Sequence, residues 1–204
     1  MKFGLVSIGS HTGFWLKEEI QKQSDRILLI EPVKHNIAEL KFNSKGNENI
    51  LIEESAISSK NQIKSFYYIK HSSVSKLKKH WASGIGSFDK QHILNHRSKN
   101  FKVEESDIEV MNINCLSFQA LITKYKIESI EKLMLDVEGA EYEILKSINY
   151  NTIPINQIFF EKKHFDDTFF EGPKLKEIKK LLENFNYTLE DLDKENILAT
   201  KTYL

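Results

Sequence analysis

Short apolar runs alternate along this chain with stretches whose apolar residues recur at helical spacing. "FGLVSI" (3–8) is a compact run ending at a glycine, and "GFWLKEEIQKQ" behind it spaces Phe14, Leu16 and Ile20 among charges, which predicts strand, loop, helix. "RILLIEP" (26–32) repeats the strand signal and is closed by Glu31 and Pro32. "HNIAELKFN" then predicts an amphipathic helix with Ile37 and Leu40 inward, and "NILIEESAIS" (49–58) a third strand. Strands separated by helices in this way predict right-handed βαβ crossovers and a parallel sheet.

Beyond residue 60 the rhythm breaks. "IKSFYYIKH" and "IEVMNINCL" read as strands, with the basic "SKLKKHWASGIGSFDKQHILNHRSKNFK" between them, so 61–112 is expected to be an insertion on the active edge of the sheet. The α/β alternation then resumes: "SFQALITKYKI" as helix, "IEKLMLDV" as strand, "AEYEILKSI" as helix with Leu145 and Ile148 inward, and "INQIFFEKKH" as strand. "PKLKEIKKLLENFNY" is an amphipathic helix behind Pro173 whose apolar face is Leu175, Ile178, Leu182 and Phe185. "TLEDL" and "ILATKTYL" predict a closing antiparallel pair. The expectation is one α/β domain over residues 1–204, with a mostly parallel sheet, an antiparallel C-terminal strand and helices on both faces.

Composition narrows the class. With 40% hydrophobic and 28% charged residues, 3 Pro and 8 Gly, the chain has the make-up of a globular protein. No stretch is apolar enough for a membrane span, the N-terminal run is a poor signal peptide, and the single Cys115 has no intrachain disulfide partner, so a cytoplasmic location is expected. The zero net charge hides an asymmetry: residues 64–102 hold nine Lys or Arg and four of the seven His, with Asp89 as their one acid. Such a segment attracts an anionic partner or is simply a solvated basic face.

Ligands of open α/β sheets sit beyond the carboxyl ends of the strands. A dinucleotide fingerprint starting at Gly9 would need glycines where this chain has His11 and Phe14, which disfavours an NAD-dependent oxidoreductase. "GSHTG", with Gly9 and Gly13 around Ser10 and His11, still makes a sharp turn with exposed amides, suited to a small carboxylate-bearing tail. Glu31, some twenty residues on, stands at the end of the second strand where an acid accepts from both hydroxyls of a ribose. A nucleoside without pyrophosphate fits this pairing, and the common cofactor of that description is S-adenosylmethionine.

In "MLDVEGAEYEIL" (134–145) an apolar strand ends in carboxylates. Asp136 and Glu138 lie two apart, on one side of an extended strand, and should emerge where the cleft opens, because each would cost several kcal/mol buried and unpaired. Glu141 and Glu143 fall in the first turn of the next helix, where the dipole favours acids. "FFEKKH" places Glu161 and His164 at the end of the following strand, beside the same cleft.

"LMLDVEGAEYEILKSI" resembles the D-x-E-G-x-E block of the FkbM family of methyltransferases, and "GSHTG", "IEP", "SAIS" and "FFEKKH" fall around it in the family's order. The resemblance runs from residue 5 to about 200. It implies a Rossmann-like class I methyltransferase fold, S-adenosylmethionine as cofactor, and O-methylation of a hydroxyl on a sugar or related metabolite, anionic ones included. By position it implies that Gly9, His11 and Gly13, with Ser10 beside them, form the cofactor loop. Glu31 would be the ribose acid, with Pro32 next to it, Ala56 the adenine-side residue, and Asp136 and Glu138 the acidic block. The chain departs from the family at Ser7, where an Asp is frequent, at His11, where an Asn is, and at Met134, where Lys or Gln is.

On this reading Asp136 orients the cofactor or takes the acceptor's proton, and Glu138, Glu161 and His164 share the proton or the substrate. Alignment can supply about 7–11 kcal/mol, more than the ~10²–10⁴-fold of a general base. A divalent ion such as Mg²⁺ or Mn²⁺ at the acids and His164 is disfavoured against plain hydrogen bonding, so no metal ligands are assigned. "HWASGIGSFDKQH" (80–92) is the expected acceptor loop, with Trp81, Ser87 and Lys79 as substrate contacts. A membrane partner is not expected and nucleic acid is disfavoured. The alternatives are a non-catalytic nucleoside-binding module, and an RNA methyltransferase guided by the basic insertion.

Overall fold

The computed structural model of the chain describes residues 1–98, 100–166 and 171–203. In chain order its first half comprises β1 (Lys2–Ile8), α1 (Lys17–Gln21), β2 (Arg26–Ile30), α2 (Lys34–Asn43), β3 (Ile50–Glu53), β4 (Ala56–Ser58), β5 (Gln62–Ile69), α3 (His71–Leu77), β6 (Gly86–Ser87) and α4 (Lys90–Asn95). There follow β7 (Arg97–Ser98), β8 (Phe101–Lys102), β9 (Ile108–Ser117), α5 (Phe118–Tyr125), β10 (Ser129–Leu135), α6 (Glu141–Ser147), β11 (Ile155–Glu161), α7 (Pro173–Asn184), β12 (Tyr187–Asp191) and β13 (Asn196–Lys201).

The main sheet has seven strands in the order β12-β13-β11-β10-β1-β2-β3. β3, β2, β1, β10 and β11 are parallel neighbours, while β13 runs antiparallel to both β11 and β12. Strand order reverses between β1 and β10, which opens a crevice beyond their carboxyl ends. This is the Rossmann-like class I methyltransferase arrangement.

Both faces of the sheet are covered, which is why its central strands are continuous apolar runs rather than alternating ones. In β2, Ile27 and Leu29 pack with Leu16 and with Leu40 of α2, while Leu28 and Ile30 point to the opposite core. That second core is closed by Phe118 and Leu121 of α5, Ile144 and Leu145 of α6, and Leu175, Ile178 and Leu182 of α7. The expected inward faces of α2 and α7 are thus as the periodicity indicates. Phe14 differs: it opens a 3-10 turn (Phe14–Leu16) and is 65% exposed, its ring covered by the Lys17 ammonium, whereas Leu16 is buried.

The stretch 49–58, read as one strand, is two in different sheets. β3 pairs β2 at the edge of the main sheet, and β4 pairs β9 in a second sheet ordered β4-β9-β5-β6. The break falls at buried Glu53, which accepts from Lys124 Nζ at 2.5 Å and Tyr125 Oη at 2.8 Å, and at buried Ser55. The second sheet is dominated by the antiparallel β5–β9 ladder, from Gln62↔Cys115 to Ile69↔Ile108. The basic segment packs its own apolar cluster, Ile69, Leu77, Ala82, Ile85, Ile93, Phe101, Val103 and Ile108, so it has its own core beside the strand ends. Among the described residues no helix is long and apolar enough to cross a membrane.

Candidate active site

Two cavities meet at the carboxyl ends of the strands. The first is a crevice between β1, β2 and β10, lined by Gly9, Glu31, Pro32, Ser55, Ala56 and Asp136 among others. Gly9 has φ +85°, and a Cβ there would lie 1.8 Å from the Asp136 carbonyl oxygen, so only glycine permits the turn after β1 to pass so close to the end of β10. Glu31 is buried and holds the turn: it accepts from the backbone N–H of His11 at 3.0 Å and of Val33 at 3.0 Å, and from Asn36 Nδ2 at 3.2 Å. Burial outweighs these bonds and pushes its carboxyl up to about 7. Ser10 does not line the crevice. Its hydroxyl donates to the Ser7 carbonyl and accepts from the Ile30 N–H, pinning β1 to β2. Gly13, at φ +73°, packs towards Leu40 instead.

The acidic block does not continue the strand. β10 ends at Leu135, and Glu138 has a left-handed backbone at φ +53°, so Asp136 and Glu138 diverge rather than share a side. Asp136 groups with Glu141 and Glu161. All three carboxyls are raised, first by burial and then by one another or by Glu138: Asp136 to about 6, Glu141 to about 8, Glu161 to about 9. Glu141, expected only to serve the helix dipole, is fully buried and accepts from the Val137 N–H at 2.8 Å and the Gly139 N–H at 3.0 Å, fixing the turn. Glu161 pairs with Lys163 through one oxygen, while its other oxygen is buried without a hydrogen bond. Burial and the neighbouring acids favour the neutral form of Glu161, against the pull of Lys163.

Glu138 turns the other way, into a cluster of imidazoles. Its Oε2 lies 3.1 Å from His92 Nε2, 3.2 Å from His96 Nε2 and 3.2 Å from His164 Nε2. Burial would raise its carboxyl, but these neighbours drive it well below the usual range. His164 is lowered, burial outweighing the attraction of Glu138, and His96 is raised because Glu138 overcomes its burial. This cluster forms one wall of the second cavity, an open cleft of ≈ 690 Å³ also lined by Trp81, Asn95, Arg97, Phe101, Lys163 and Glu195. Glu138 lines both cavities.

The segment 83–88 straps the insertion over the crevice. Asn36 Nδ2 donates to the Ser83 carbonyl at 2.9 Å, His11 Nε2 lies 2.7 Å from Ser83 Oγ, and Ser87 Oγ donates to the Glu138 carbonyl at 3.1 Å. Gly84, Gly86 and Phe88 line the crevice, and Phe66 meets Phe88 edge-on with ring centroids 5.4 Å apart. The crevice is thereby narrowed to ≈ 40 Å³, below the ~300–1,000 Å³ of typical ligand pockets.

Residues 7–189 match the family model described as the methyltransferase FkbM domain. This chain belongs to the FkbM methyltransferase family, whose members use S-adenosylmethionine. Among solved structures, the chain is similar to an FkbM methyltransferase from Methylobacillus flagellatus KT, at 11% identity and a TM-score of 0.52, over 98% of this chain and 44% of that one. The chain therefore spans less than half of that protein's length. It is also similar to Aeropyrum pernix fibrillarin in complex with natively bound S-adenosyl-L-methionine, at 11% identity and a TM-score of 0.48, over 97% of this chain and 65% of that one. A third is a precorrin-6y C5,15-methyltransferase from Geobacter metallireducens GS-15, at 10% identity and a TM-score of 0.47, over 99% and 82%. None of the curated protein sequences matches.

The residues of the crevice fit the nucleoside end of S-adenosylmethionine, the family's cofactor, in chemistry. Glu31 reaches the crevice with acceptor capacity beyond its three donors, and Ser55 Oγ, buried there, has no hydrogen-bond partner. Of the residues expected to meet substrate, Trp81 lines the cleft and stacks at 4.6 Å on Phe101. Ser87 is buried and does not line it, and Lys79 is exposed outside it. Sequence reasoning passed over His92, His96 and Glu141. The first two had a signal, the i, i+4 spacing within "KQHILNH", which puts both rings on one helix face.

Proposed function

We propose that this methyltransferase transfers the methyl group of S-adenosylmethionine to a hydroxyl oxygen of a sugar or related metabolite, anionic acceptors included. The observation that carries the reading is that Glu138 lines both the cofactor-side crevice and the polar cleft, so a hydroxyl seated in the cleft meets the crevice at the acidic block. Trp81 and Phe101 offer the apolar face of a sugar a stacking surface, and Arg97 and Lys163 favour negative charge. The bound sulfonium supplies an already activated methyl group. This chain's residues align the two reactants, exclude water through the strap at 83–88, and accept the proton that leaves the hydroxyl as its oxygen takes the methyl.

Asp136 is the proposed proton acceptor. It lies on the crevice wall, and a carboxyl pushed up to about 6 is a stronger base than an ordinary aspartate yet still ionised at neutral pH. Glu161 groups with Asp136 and Glu141 in the same cluster of acids. The buried free thiol of Cys115 supports a reducing, cytoplasmic setting for the enzyme.

The deciding experiment incubates the protein with S-adenosylmethionine and nucleotide sugars or glycan extracts, and follows both acceptor mass and the demethylated cofactor. Gain of one methyl mass on a hydroxylated acceptor is expected. Calorimetric binding of cofactor and demethylated product without methylation of any acceptor in the panel would favour a binding module.

A further inference from the structure

We infer that His92, His96, His164 and Glu138 form a binding site for a first-row divalent transition metal ion, zinc being the best fit. The four donors come from three separate places: α4 and its C-cap in the insertion, the turn after β10, and the loop after β11. All four donor atoms lie within 4.8 Å of one another. The Glu138 oxygen sits 3.1, 3.2 and 3.2 Å from the three Nε2 atoms. Tetrahedral zinc with bonds of ~2.0–2.1 Å holds its ligand atoms about 3.3–3.4 Å apart, which these separations match.

Hydrogen bonding alone explains the convergence poorly. Only His92 makes a well-directed hydrogen bond to Glu138, and His164 Nε2 is buried with no hydrogen-bond partner despite its approach. His96 Nδ1 lies 3.0 Å from the His92 carbonyl, where it must donate its proton, so the other nitrogen, Nε2, is the one that faces the cluster and can ligate. Three rings with centroids 4.4–5.6 Å apart cannot all carry protons on the nitrogens that point inward without mutual repulsion. A cation at the centre satisfies every lone pair with all three rings neutral. The donor set, imidazole nitrogens plus one carboxylate, selects zinc and its neighbours over magnesium or calcium, which prefer oxygen.

With four protein donors the ion would be a closed, structural centre that clamps the insertion to the acidic block. The site rests on geometry and not on methyl transfer, so its test reads metal binding. Protein stripped with a chelator is titrated with Zn²⁺ and Co²⁺. One equivalent is expected to bind, with the intense visible d–d bands of low-coordinate cobalt and a rise in melting temperature. His92→Ala, and the polarity-keeping His96→Gln, should each weaken Zn²⁺ binding more than about 100-fold in protein whose far-UV circular dichroism is unchanged, while His71→Ala, outside the cluster, should leave it intact. Absence of saturable binding, binding that survives His96→Gln, or a preference for Mg²⁺ over Zn²⁺ would each overturn the assignment.

Discussion

Gly9 and Asp136 are in backbone contact: a single added carbon at Gly9 would stand 1.8 Å from the Asp136 carbonyl oxygen. The glycine turn after β1 and the acidic end of β10 are thus registered against each other by the absence of a side chain. Gly9→Ala should cost at least about 1–3 kcal/mol from the left-handed backbone alone, more from the clash, and should abolish cofactor binding. Urea denaturation and calorimetry with S-adenosylmethionine check both halves; a variant with wild-type affinity would show that the turn does not shape the crevice.

The Glu31 carboxyl gives a pH signature. Its folded value is raised from 4.5 to about 7 by burial, so between those values the folded state holds a proton that the unfolded state has released. Its contribution to stability is therefore full below about pH 4.5 and is lost as pH rises through 7, by up to roughly 3 kcal/mol. Glu31→Gln removes that slope. Unfolding free energies of both proteins from pH 5 to about 8 should converge as pH rises if the variant starts less stable, and parallel curves would contradict the assigned ionisation.

Asp136→Asn should lower kcat by about 10²–10⁴-fold while leaving cofactor affinity within a few-fold, because the amide cannot accept the acceptor's proton. Alignment by the rest of the site leaves residual turnover. Full methylation of the true acceptor by this variant would remove Asp136 from its proposed role.

Phe88 and the backbone at Gly84 and Gly86 line a crevice of only ≈ 40 Å³, so on the proposed function the 83–88 strap is expected to gate cofactor entry. Phe88→Ala, which removes the edge-on contact to Phe66 and the Lys64 ammonium's seat over the ring at 3.9 Å, should speed cofactor association several-fold. Stopped-flow binding reads this directly. An unchanged association rate would mean that the strap does not gate entry.

For an anionic acceptor, Arg97→Glu should raise KM by about tenfold with kcat little changed, whereas Lys79→Glu should be silent, since Arg97 lines the cleft and Lys79 does not. The reverse ranking would place the acceptor on the outer basic face.

The sequence by itself determined the strands and helices of the α/β core, because "RILLI" and "LKEIKKLL" carry the buried-strand and 3.6-residue patterns that packing demands. It also determined the glycine turn, Glu31, and an acidic strand end, since Gly9 and a run of carboxylates behind apolar residues each have few physical uses. Only the tertiary structure decided where the acids point. Two residues apart in "DVE" says one side of a strand, but the chain leaves the strand at Leu135, and the left-handed Glu138 sends its carboxylate to three histidines while Asp136 joins Glu141 and Glu161. The pairing of His92 and His96 with His164, some seventy residues away, was equally out of reach. Side-chain convergence of that kind depends on how the insertion folds against the sheet, and no local pattern encodes a distance between segments that meet only after folding.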